Sequence, residues 1–133
     1  YRQYAPYEVI STAYISAAEL VRLKMIEEML DIYYNRGGFS YTIAYLIETV
    51  GAGAFRFYEK LADFYYTSGF QHRDRKKDDQ YRILLAFART LAQERDEPAI
   101  EEIALKMLTR DAEASMNPEN LKRFLRKGWE ITR

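Results

Sequence analysis

The stretch from Ile15 to Gly69, ISAAELVRLKMIEEMLDIYYNRGGFSYTIAYLIETVGAGAFRFYEKLADFYYTSG, decides the fold. It opens on Ser16-Ala17-Ala18-Glu19, the spacing of a capping box, in which the serine oxygen and the glutamate side chain each satisfy a free backbone N–H. Leu20, Leu23, Ile26, Leu30 and Tyr33 then recur at steps of three and four, which predicts one apolar helix face. Arg22, Lys24, Glu27, Glu28 and Asp31 fill the other side, and Asn35-Arg36-Gly37-Gly38 stops the helix. A second helix runs through Tyr41, Ile43, Tyr45, Leu46, Ile47 and Val50 to the stop at Gly51-Ala52-Gly53. A third extends from about Ala54 to Ser68 on Phe57, Tyr58, Leu61, Phe64 and Tyr65.

The remainder continues in the same manner. Residues Gly69 to Asp79, GFQHRDRKKDD, read as a charged connector. A fourth helix is expected over about Gln80 to Gln93 on Tyr81, Leu84, Leu85, Ala88 and Leu91. Asp96-Glu97-Pro98 opens a fifth, with Ile100, Ile103, Ala104, Met107 and Leu108 on its buried face, because proline in a first turn forfeits no helical hydrogen bond. Asn117-Pro118-Glu119 repeats that signal for a last short helix through Leu121, Phe124 and Leu125, ending at Gly128. The expected fold is all-α: an irregular bundle of about six helices over residues 16–133, a single domain, behind an extended lead-in of residues 1–15 from an upstream domain. Its strand-like part is Tyr7 to Ile15.

Composition excludes several chemistries. The chain has no cysteine, which removes disulfides, thiolate zinc, cysteine nucleophiles and any internally ligated iron–sulfur cluster. Its single histidine, His72, lies in the charged connector and reads as a solvated residue, so a multi-histidine metal site is ruled out. Gly51-Ala52-Gly53 follows no strand and lacks the lysine of a phosphate loop. The pairs Glu27-Glu28 and Glu101-Glu102 diverge by about 100° on a helix and do not converge on one metal or proton. Glu48 and Glu59, near tyrosine-rich helix ends, are the acids with a reason for a shifted pKa, a hydrogen bond to a tyrosine hydroxyl being the simpler role. No catalytic, cofactor or metal residue is assigned.

Twenty basic and twenty acidic residues cancel, so no overall field draws the chain to nucleic acid or an anionic membrane. The basic runs Arg73 to Lys77 and Lys122 to Lys127 read as solvated faces. No apolar run approaches the roughly 18 to 20 residues of a membrane span, and the first residues lack a signal-peptide layout, which gives the expectation of a cytoplasmic protein. Beginning at Tyr1 without methionine, the chain reads as an excised domain.

Twelve tyrosines are a surplus for 133 residues. Those at the ends of the first three helices either pack the helices together or, with Tyr33, Tyr34, Tyr45, Tyr58 and Tyr65 as its candidates, form a docking face.

The run PYEVISTAYISAAELVRLKMIEEMLDIYYNRGGFSYTIAYL, then FRFYEKLADFYYTSGF and DDQYRILLAFA, covers about Pro6 to Ala88. Its Leu23-Lys24, Glu27-Glu28-Met29, Tyr33-Tyr34-Asn35, Phe39, Tyr45-Leu46, Phe57, Leu61-Ala62-Asp63-Phe64 and Tyr81 carry a resemblance. It resembles the C-terminal helical domain of uncharacterised bacterial proteins in which a cobalamin-binding domain and a radical SAM barrel come first. These are often labelled Fe-S oxidoreductase or magnesium-protoporphyrin IX monomethyl ester oxidative cyclase. The resemblance implies a part of an enzyme, inactive alone, whose parent carries a 4Fe-4S cluster, S-adenosylmethionine and cobalamin. It implies as partner the radical SAM barrel of the same chain, with the bundle as a cap that shields a radical from water. A face left bare by excision would make the isolated domain a homodimer or an aggregate. The rival class is a stand-alone helical adaptor that binds a protein or nucleic acid.

Overall fold

The computed structural model describes residues 16–131, and among them six α-helices form one bundle with no strand. The expected lead-in of residues 1–15, with its strand-like Tyr7 to Ile15, lies outside the described residues. Helix α1 is Ala17–Leu30, α2 Ser40–Val50, α3 Gly53–Thr67, α4 Lys77–Arg95, α5 Ala99–Ser115 and α6 Pro118–Lys127.

Helix α4 is the centre of the bundle. Every residue from Gln80 to Leu85 is buried, followed by Phe87, Ala88, Leu91 and Ala92, so the helix is enclosed on nearly all sides. It packs chiefly on α5, α5 packs in turn on α2, and α1 lies on α3. Aromatic rings fill the space between. Tyr33 meets Phe39 edge-on at 5.0 Å, Phe39 meets Tyr81 at 4.5 Å, and Phe124 stands against Trp129 at 4.8 Å.

The serine half of the capping box forms, the Glu19 N–H donating to Ser16 Oγ at 3.1 Å, and the Glu19 carboxylate accepts from the Ser16 hydroxyl at 3.3 Å. Asn117 caps α6 in the same way through the Asn120 N–H. Helix α4 starts three residues before the expected Gln80 and runs two past Gln93, closing on Asp96 in a left-handed conformation. The charged connector is therefore short, and it is not all solvated. Phe70, in a 3-10 turn over Phe70–His72, is fully buried, while His72 is exposed as expected.

One expectation about α1 is corrected. Leu20 and Leu23 are 46% and 42% exposed, not core. The buried line is Ile26, Met29, Ile32 and Tyr33, and it extends outward through Arg22, whose guanidinium grips Asp63 of α3 with two bonds of 2.9 Å and reaches Glu59 at 3.1 Å. Pairing Arg22 with α3 turns the Leu20 side of the helix to solvent. The helix ends at Asn35 to Gly38 as expected, but its last turn widens into a π turn over Asp31–Asn35, closed by the Arg36 N–H donating to the Asp31 carbonyl at 3.1 Å.

Candidate functional site

Helix α2 has no capping side chain of its own; Phe39 precedes it and satisfies none of its free N–H groups. The cap comes from α5. The buried carboxylate of Asp111 accepts the N–H of Tyr41 at 3.1 Å, the N–H of Thr42 at 2.9 Å and the Thr42 hydroxyl at 2.7 Å. At the other end Arg95 of α4 donates to the carbonyls of Thr49 and Val50. An anion at the N-terminus and a cation at the C-terminus both match the helix dipole. Gly51 then closes α2 with φ 82°, where a side chain would be strained.

This clamped helix forms one wall of a cleft of about 430 Å³. Leu30 and the π-turn residues Tyr33 and Tyr34 supply a second wall, Ile43, Ala44 and Ile47 of α2 the first, and Ala54 and Tyr58 of α3 the third. Gly37 and Ser40 complete the lining, and none of these residues carries a charge. The two buried tyrosines of the cleft differ in one respect. Tyr33 donates its hydroxyl to Gln80 Oε1 at 2.8 Å, whereas the Tyr58 hydroxyl is buried with no hydrogen-bond partner. Burial raises the pKa of both, Tyr33 well above 10, and for Tyr58 the nearby Tyr34 hydroxyl adds to the effect.

The five candidate docking tyrosines thus separate. Tyr33, Tyr58 and Tyr65 are at most 5% exposed and pack the core; Tyr45 is half-buried; Tyr34, at 70%, presents its ring to solvent. Tyr33, Tyr34 and Tyr58 come together at the cleft, while Tyr65 does not line it and packs against Phe70, near the Gln80 that also holds the Tyr33 hydroxyl. Leu20, Val21 and Leu23 on α1 and Phe55 on α3 are further exposed apolar side chains.

Glu59 binds arginine rather than a tyrosine hydroxyl. Hydrogen bonds from Arg56 and then Arg22 hold its carboxyl below the usual range. Glu101 pairs with Arg89 at 3.0 Å, and Glu27, Glu28 and Glu48 are exposed. Among the described residues no group of three or more His, Cys, Asp and Glu is placed to hold a metal ion, and no helix is long and apolar enough to cross a membrane. The donor set does not fit an iron–sulfur cluster, since the chain has no cysteine.

Sequence reading missed Asp111, Arg95 and the pairing of Arg22. Asp111 stands 69 residues from the Thr42 it caps, and no local pattern marks such a pair. The α2 segment gives no warning either, since Ser40 reads as a cap although it stands inside the first turn, behind Phe39.

A family model described as a protein of unknown function, DUF4080, matches residues 1–131. No curated protein and no solved structure matches the chain.

Proposed function

The chain belongs to the DUF4080 family of proteins of unknown function, and from that premise we propose that it is a non-catalytic C-terminal accessory domain of a cytoplasmic, cobalamin-dependent radical SAM Fe-S oxidoreductase. It docks on the barrel of the same chain, and the 4Fe-4S cluster, S-adenosylmethionine and cobalamin are held elsewhere in the parent. Support comes from the sequence resemblance over Pro6 to Ala88 and from the apolar side chains that the bundle leaves uncovered. The carrying observation is α1, whose Leu20, Val21 and Leu23 are all more than 40% exposed on a helix that already buries another face against α3. Leu20 and Leu23 lie about 60° apart around the helix, and two neighbouring exposed leucines are suited to a partner.

The test uses the full-length gene product, purified and reconstituted without oxygen, with and without residues 16–133. Iron and cobalamin retained in both, with S-adenosylmethionine turnover lost on truncation, is the expected result. A native product free of iron and cobalamin would overturn the reading in favour of the stand-alone adaptor. Replacing Leu20 and Leu23 by serine should weaken association of the separately expressed halves without lowering the helical content of this domain.

A further inference from the structure

We infer that helix α6 and the connector before α4 form one basic surface that binds the phosphate backbone of double-stranded nucleic acid without reading its sequence. This surface is independent of what α1 docks on.

The two basic runs, Arg73 to Lys77 and Lys122 to Lys127, are far apart in the sequence and meet in the fold. Arg73 and Arg75 from the first, Lys127 from the second and Arg82 of α4 line one polar pocket of about 300 Å³. Residues 73–82 and 119–130 together hold nine basic and five acidic side chains in a chain that is neutral overall, so the positive surplus is local. Two of the acids are already engaged: Asp79 accepts from Arg82 at 3.1 Å, and Glu130 lies 3.9 Å from Arg89. Asp74, Asp78 and Glu119 weaken the field without cancelling it.

On α6 Phe124 alone is buried, and it fixes the rotation of the helix. At about 100° per residue from Phe124, the side chains of Lys127, Arg123, Arg126 and Lys122 follow one another over an arc of about 140° that turns from the pocket to solvent. All four are exposed, as is Arg73, and among the described residues none of the five has an ion pair.

The kind of anion follows from what the surface lacks. Neither run exposes an aromatic ring, Phe124 being buried, so no platform is offered on which an unpaired base could stack. Leu125 is the one exposed apolar side chain in either run, too little for the buried anchor of a protein interface or for insertion into a lipid surface. What remains is a row of cations, and a duplex offers phosphates along its whole length and needs no apolar contact.

The experiment follows the fluorescence anisotropy of a short labelled DNA duplex of mixed sequence as the chain is added at a series of salt concentrations. Saturable binding is expected, its association constant falling with salt at a log–log slope of about −3.6, that of roughly four phosphate contacts. Lys122→Gln combined with Arg126→Gln should flatten the slope by about two and weaken binding about tenfold at low salt. Arg73→Gln combined with Lys127→Gln should do the same, and if either pair loses helical circular dichroism the other decides. Lys24→Gln combined with Lys106→Gln removes equal charge from exposed positions on α1 and α5 and should change neither quantity. Binding that never saturates, or an equal loss in this control pair, would overturn the inference. So would tighter binding of a single strand of the same sequence, tighter binding to phosphatidylserine vesicles, or displacement of the duplex by polyglutamate at equal charge.

Discussion

Leu84 and Leu23 are the same side chain on two helices of one bundle, yet Leu84 on α4 is fully enclosed and Leu23 on α1 is 42% exposed. Both stand in good apolar periodicity. The difference is the neighbour: α4 is surrounded, whereas α1 has α3 on one side and gains its contact there partly through the Arg22 ion pair. Periodicity reports that a helix has an apolar stripe, and only the arrangement of the other helices reports whether the stripe is covered.

The comparison is sharpened most by truncating both leucines. Leu84→Ala should destabilise the fold by about 4 kcal/mol, the cost of lost burial plus a cavity, while Leu23→Ala should stay within about 0.5 kcal/mol of the parent. Urea titration followed by circular dichroism measures both. A large loss at Leu23 would mean that its stripe is covered in the isolated chain.

Next in size is Asp111→Ala. It strips α2 of its cap and leaves the buried Thr42 N–H and hydroxyl unsatisfied, an expected loss of about 3 kcal/mol in the same titration. Amide exchange should accelerate at Tyr41 and Thr42 before it does in α4.

A smaller effect is expected at Gly38, which holds φ 94° and approaches the Lys77 side chain closely enough that a Cβ would lie 2.5 Å from Nζ. Lysine can swing away, so Gly38→Ala should cost about 1.5 kcal/mol, mainly from the left-handed backbone.

The mildest perturbation is pH. Burial raises the pKa of Tyr33, Tyr58, Tyr65, Tyr66 and Tyr81 above 10. Their contribution to stability is therefore whole below pH 10 and is lost as pH rises through the folded values. Tyrosinate absorbance from these rings should appear together with loss of helical signal. An absorbance step completed while the helices persist would show that base reaches the rings in the folded state.

Much of this architecture was legible in the sequence. All six helices were placed, because caps such as Ser16 and Asn117 and stops such as Gly51 act within a few residues of themselves. What escaped is non-local. Phe70 is one apolar residue in a charged run and gives no period, yet it is buried against Phe64 and Tyr65. The π turn adds a wider winding that a 3.6-residue pattern continues through without notice. For the candidate site, Tyr34 and Tyr58 were singled out by their place at helix ends, but the aliphatic wall of Ile43, Ala44 and Ile47 looked like any core stripe.

The two charges that clamp α2 also carry a consequence for the order in which the molecule assembles. Eleven residues are too few to hold a helix in water on their own, and the groups that secure this one sit at Arg95 and Asp111, far along the chain. On a ribosome, the segment would emerge and wait, securing its first turn only after more than sixty further residues had been made and folded back. The cleft is accordingly a late product of folding, and a chain cut short before Asp111 would have the residues of the site without the site.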